Sequence, residues 1–109
     1  MRINLKQVLT DRKGSPIKNQ DGEDTTLEMI AYSALINMTP QEANLGRDDR
    51  LKRGRLAQRI CIIAQDGILD LKAEEITLIK QCIGASYGPW VVALTEDMFE
   101  HESPKLSVA

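Results

Sequence analysis

Apolar residues recur every three or four positions in successive segments of this chain. This spacing places them on one side of a helix, and a helix with one apolar side must bury it against other elements. The pattern therefore predicts three to four helices around a shared core. The residues expected at the centre of that core are Leu35, Ile60, Ile79 and Leu94.

Start and stop signals give the expected bounds of the first two helices. Thr25 and Glu28 form a capping box, so the first helix should begin there. The second helix should start near Asp48 or Asp49 and end before Gly67, because glycine suits the position just past a helix end.

The same signals divide the second half of the chain. The third helix should begin near Ala73 and stop at Gly84, and Pro89 should open a fourth. Polar residues with a proline follow the fourth helix. We expect one domain over residues 1–100 and a flexible tail over residues 101–109.

The N-terminal residues show a different period. Apolar residues alternate with polar ones over residues 3–9, and the polar tetrapeptide 11–14, which contains a glycine, precedes a second short run at 15–18. This arrangement predicts a β-hairpin whose second arm lies at an edge, since Pro16 cannot donate a hydrogen bond. The expected fold class is α+β, mostly α, with an N-terminal β-hairpin packed on three to four helices.

Composition and the lengths of apolar runs indicate the class of the protein and its expected location. Of its 109 residues, 42% are hydrophobic and 28% are charged, which is typical of a globular chain. No apolar run is long enough to span a membrane, and the N-terminus lacks the apolar stretch of a signal peptide, so a cytoplasmic location is expected. Cys61 and Cys82 are predicted to be reduced core residues, with a disulfide between them as the less favoured alternative.

No set of residues typical of catalysis or metal binding is apparent. His101 is the only histidine, and no glycine-rich phosphate loop is present. Residues 62–73 imitate a calcium loop around Gly67, but Ile62 and Ala73 stand where oxygen ligands are required. The sequence therefore predicts a protein that is not an enzyme and binds no cofactor and no metal.

The second predicted helix is unusually basic, since six of the fourteen Lys and Arg residues fall within residues 47–59. Lys52, Arg55 and Arg59 share one side of this helix, and such a side can bind nucleic-acid phosphates, carboxylates of another protein, or only water. The candidate partner-binding residues of the helix are Arg50, Lys52, Arg53, Arg55 and Arg59.

Of these uses, protein binding is favoured and nucleic-acid binding through residues 47–59 is the alternative. The net charge is −2, no aromatic residues interleave the basic ones, and Glu74-Glu75 at the start of the next helix would face phosphate. Acidic residues near the C-terminus are a further candidate partner, within the fold or between subunits. They are Glu96, Asp97, Glu100 and Glu102.

Tyr87 and Trp90 form the second candidate contact. Both residue types are frequent anchors at protein interfaces. A single tryptophan at the start of an apolar helix is more often a core residue, so a core position is the favoured expectation for Trp90.

A set of stretches along the chain forms a pattern known from other sequences: residues 4–11 with the glycine turn and 16–18, then 26–27, 52–57 and 74–92. Together these stretches resemble small proteins encoded by tailed bacteriophages and prophages. The resemblance covers about residues 3–99, except that Lys72 stands where Ser or Thr would cap the third helix. It implies a viral protein in the host cytoplasm with a non-enzymatic role, an accessory or regulatory factor that binds a phage or host protein.

Overall fold

A computed structural model describes residues 1–37, 45–62 and 67–100. Within these residues it confirms the expected fold class: four helices combine with a small antiparallel sheet and an N-terminal hairpin turn. The elements in chain order are β1 (Arg2–Asn4), α1 (Leu27–Ile36), α2 (Arg47–Cys61), β2 (Ile68–Asp70), α3 (Ala73–Ser86) and α4 (Pro89–Glu100).

Helix α1 is at the centre of the fold. Both α2 and α3 pack on it, and α4 packs on α3. Ala31 and Ala34 are buried on α1, and such small side chains let neighbouring helices approach closely. The predicted core positions Leu35, Ile60 and Ile79 are buried, whereas Leu94 is only partly buried and packs at the edge of the core.

The N-terminus of α1 is one residue later than the sequence predicts. Thr26 is the cap, and its hydroxyl accepts a hydrogen bond from the Met29 N–H at 3.4 Å. The Leu27 N–H, which a helix leaves without an internal partner, donates to the Gln7 carbonyl at 2.9 Å. A backbone carbonyl of the N-terminal segment thus accepts one of the N–H groups at the start of α1. The prediction that Thr25 is the cap is wrong.

The predicted hairpin turn is present at residues 11–15. The Ile17 N–H donates to the Leu9 carbonyl at 2.9 Å, and the Asp11 N–H donates to the Ser15 carbonyl at 2.9 Å. Gly14 has φ +83°, a conformation that other residues rarely adopt.

A third segment stabilises this short hairpin. The Leu9 N–H donates to the Thr25 carbonyl at 2.9 Å, and the Thr25 N–H donates to the Ile17 carbonyl at 2.7 Å. Together with the bond from Ile17 to Leu9, these bonds form a closed ring of three backbone segments. Each arm therefore has a second pairing partner besides the other arm, which a two-stranded hairpin alone lacks.

The sheet joins distant parts of the chain. Strand β1 pairs antiparallel with β2, and Ile3 lies opposite Leu69. The sequence indicated only an apolar connector at residues 68–71, because three residues are too few to show the alternation of a strand.

Both predicted glycine stops are wrong. Helix α2 already ends at Cys61, and Gly67 instead precedes β2, where its carbonyl accepts from the Leu5 N–H at 2.8 Å. Gly84 lies inside α3, which runs on to Ser86. A glycine within a helix costs only about 1 kcal/mol, an amount that tertiary packing overrides.

The two cysteines differ in environment. Cys82 is buried as predicted, but Cys61, at the last position of α2, is exposed, so the core prediction for it is wrong. The two cysteines are not joined by a disulfide. Part of the 62–73 calcium-loop candidate and the whole 101–109 tail, with His101 and Glu102, lie outside the described residues.

Candidate functional site

The predicted partner-binding residues fall on two surfaces. The first is a groove of about 680 Å³ between α2 and α3, here called the α2–α3 groove. It exists because both helices pack mainly on α1 rather than on each other. Its walls are formed by Asp49, Leu51, Lys52, Arg55, Leu56 and Arg59 of α2 and by Glu74, Glu75, Thr77, Leu78 and Gln81 of α3.

Arg59 closes one end of the α2–α3 groove. Its guanidinium forms an ion pair with Glu75 and donates to the Asp70 carbonyl at 2.9 Å. Glu75 also accepts from the Lys72 N–H at 2.9 Å, so one backbone donor at the α3 N-terminus has a partner although Lys72 replaces the expected Ser or Thr. Arg59 therefore joins α2 to β2 and α3, and both terminal nitrogens of its guanidinium donate within the fold.

Lys52 and Arg55 are the basic residues that the groove offers to a partner. Both are exposed, and among the described residues neither has a carboxylate within ion-pair distance. The groove also has an apolar strip formed by Leu51 of α2, which is 41% exposed, and Leu78 of α3. Lys52 and Arg55 lie on the same side of α2, as the sequence predicts.

The other two basic candidates lie elsewhere. Arg53 is only 8% exposed, because it precedes Leu56, Ala57 and Ile60 at the spacing that defines the buried side of α2. The sequence placed it beside the exposed basic side, and this placement is wrong. Arg50 is exposed but does not line the groove.

The opposite wall of the groove is acidic. Glu74 and Glu75 of α3 line this wall, Glu75 pairs with Arg59 across the groove, and Asp49 adds a carboxylate on α2. The groove is therefore a mixed-charge surface with an apolar floor, and only one wall is basic.

Two of the acidic residues near the C-terminus form ion pairs with α3, a helix outside the basic segment 47–59. Glu96 and Glu100 of α4 accept from the Lys80 ammonium of α3 at 2.8 and 2.7 Å. Hydrogen bonds to Glu100 and Glu96 raise the pKa of Lys80 above its usual value. The ion pairs thus stabilise the packing of α4 on α3.

These ion pairs predict a loss of stability at alkaline pH. Because the folded pKa of Lys80 is raised, its contribution is fully present below the unfolded pKa of about 10.4 and is lost as pH rises through the folded value. We expect the gap in unfolding free energy between the wild type and Lys80→Met, measured by urea denaturation, to shrink between pH 9 and about 12. Lys72→Met, at an exposed lysine, is the control. A gap that does not change with pH would contradict this assignment.

The second surface contains Trp90. This residue is 49% exposed, and its indole N–H donates to the Thr10 carbonyl at 2.9 Å. The core position expected for Trp90 is wrong, because α4 turns Thr95 and Phe99 inward instead. Tyr87 is half-buried and packs against the core, so it contributes little free surface.

Trp90 forms one wall of an open cleft of about 490 Å³, here called the tryptophan cleft. Ile17 supplies a second apolar contact, and Arg12 and Lys13 lie at the tip of the hairpin turn. The sequence pattern predicts no role for these two residues, since only the fold places the turn beside α4. The cleft is lined by Asp11, Arg12, Lys13, Ile17 and Trp90.

Two other kinds of feature, a metal site and a membrane-spanning helix, are not found in the part of the chain that the structure describes. Those residues contain no group of three or more His, Cys, Asp or Glu side chains arranged to hold a metal ion. None of the described helices combines the length and the apolar character needed to cross a bilayer. Comparison with protein-family models, with curated proteins and with solved structures gave no match.

Proposed function

We propose that this protein is non-enzymatic and acts by binding another protein in the α2–α3 groove. The observation that carries the proposal is the mixed charge of the groove: Lys52 and Arg55 on the α2 wall and Glu74 on the α3 wall line the same groove as the exposed Leu51. A nucleic-acid backbone is uniformly negative and would be repelled by the α3 wall. A protein segment can match both charges and the apolar floor.

The occupant that best fits this groove is an amphipathic helix. Its apolar side would contact Leu51 and Leu78, as in other helix-in-groove interfaces. Carboxylates on one flank would meet Lys52 and Arg55, and arginine in particular can bind a carboxylate through two parallel hydrogen bonds.

The biological setting in the proposal depends on the resemblance to phage and prophage proteins. We propose an accessory or regulatory factor in the cytoplasm of the host cell that acts in phage assembly or modulates a host system. A second copy of the chain is a further candidate partner. Nucleic-acid binding through residues 47–59 remains the alternative function.

Capture of a partner from a lysate of the native host cells tests the proposal. We expect K52E/R55E to abolish retention of a discrete protein, and R55K to weaken it, because lysine cannot form the two-bonded contact. The control R47E/K72E changes the net charge equally at exposed positions outside the groove. Equal retention by K52E/R55E and the control would refute the groove as the binding site.

Fluorescence anisotropy with labelled duplex DNA and RNA tests the alternative. Four or five phosphate contacts would make affinity fall by about two to three orders of magnitude between 50 and 200 mM salt. We expect no complex tighter than about 10 μM at physiological salt. A tight, salt-sensitive complex lost in K52E/R55E would replace the proposed function by the alternative.

A further inference from the structure

We infer that the tryptophan cleft is a second binding site, which accepts an acidic, extended segment of a partner protein that carries one apolar side chain. The inference does not depend on occupancy of the α2–α3 groove. It rests on the positions of Trp90, Ile17, Arg12 and Lys13 around one cleft.

The apolar part of the cleft is fixed in place. The bond from the Trp90 indole N–H to the Thr10 carbonyl holds the ring against the hairpin, yet half of the side chain stays exposed. The hairpin turn is rigid in its own right, because the Asp11 carboxylate accepts from the Lys13 and Ser15 N–H groups at 2.8 and 3.1 Å. An apolar side chain that enters between Trp90 and Ile17 would therefore bind without first ordering the site.

The charge of the cleft selects an acidic ligand. Arg12 and Lys13 are exposed, and among the described residues neither has a carboxylate within ion-pair distance. The carboxylate of Asp11, the acidic residue of the lining, is turned into the loop by its two backbone bonds. The two cations beside the indole thus attract carboxylates of the ligand. The apolar wall contacts the apolar side chain of the same ligand.

A single-stranded nucleic acid fits the cleft less well. Sequence-tolerant binding of single strands uses several aromatic platforms along a basic groove. Within the described residues Trp90 is the one exposed aromatic side chain, while Tyr32 and Tyr87 are half-buried and Phe99 is buried. Ile17 also offers a contact that suits an aliphatic side chain better than a base.

Trp90 is the only tryptophan in the chain, so its fluorescence reports directly on the cleft. At low ionic strength we expect the anion iodide to quench this fluorescence more strongly than the cation caesium, because the local potential is positive. Quenching by neutral acrylamide serves as the reference for both ions. This preference should disappear in R12E/K13E. It should persist in K52E/R55E, which has the same change of net charge in the α2–α3 groove.

Binding is tested with a nine-residue synthetic peptide that has a central leucine, two aspartates on each side and neutral residues elsewhere. We expect it to shift Trp90 emission and to bind R12E/K13E about tenfold more weakly or worse, the effect of reversing two exposed attractive charges. W90A, followed by anisotropy of the labelled peptide, should also weaken binding. K52E/R55E should bind the peptide like the wild type, so failure of the groove proposal would not affect this result.

Three outcomes would overturn the inference. In the first two, a peptide with lysines in place of the aspartates binds equally well, or neither peptide binds. In the third, a ten-residue thymidine oligonucleotide binds more tightly than the acidic peptide and loses affinity in R12E/K13E, which would assign the cleft to nucleic acid.

Discussion

Replacing Phe99 with alanine should lower the free energy of unfolding by about 3–5 kcal/mol. Phe99 is the largest fully buried side chain, and it lies on the side of α4 that packs against the core. Its removal leaves a cavity that the surrounding helices can fill only in part. Urea denaturation monitored by circular dichroism measures the loss.

Trp90→Ala on the same helix is the matched control, because it also truncates an aromatic side chain. Trp90 is half exposed, so we expect a clearly smaller loss of stability than for Phe99→Ala. A larger loss for Trp90→Ala would mean that α4 is rotated relative to the packing described.

Replacing Ile60 with alanine should cost about 2–5 kcal/mol, the range for large-to-small changes in a core. Ile60 is fully buried on the side of α2 that packs on α1. Ile62, two positions further along the chain, is 80% exposed, so Ile62→Ala should change stability by less than about 0.5 kcal/mol. Similar losses for the two variants would contradict the orientation of α2.

Helical periodicity accounts for most of what the sequence predicts correctly. The buried residues of α1, α2 and α3 recur at steps of three and four, so Leu35, Ile60 and Ile79 could be assigned without a structure. The same rule extended toward the N-terminus of α2 would also have placed Arg53 on the buried side. Its charge led to the opposite interpretation, since buried arginines are rare.

Features that depend on distant contacts could not be predicted. Strand β2 exists because β1 lies beside it, and its three residues carry no periodic signal of their own. The cap of α1 depends on a carbonyl of Gln7 from another part of the chain. Local signals at Gly67 and Gly84 also gave wrong helix ends, because a glycine stop is a weak preference that packing overrides.

Each of the two candidate surfaces also depends on contacts between distant parts of the chain, which the sequence could not predict. Helical spacing alone places Lys52 and Arg55 on one side of α2, but only the fold shows that Glu74 and Leu78 line the same groove. The tryptophan cleft brings together the hairpin turn and the first turn of α4, two parts of the chain that are far apart in sequence. Exposure of Trp90 was therefore not evident from its neighbours.

Site-specific photo-crosslinking tests the central claim, that the α2–α3 groove is a protein-binding site, most directly. A benzophenone amino acid is placed at Leu51, which lines the groove, or at Ile62, an exposed apolar residue of the same helical region outside it. After irradiation in the native host cells, we expect a discrete protease-sensitive adduct from Leu51 and none from Ile62. Equal adducts from both positions, or a nuclease-sensitive adduct from Leu51, would contradict the claim.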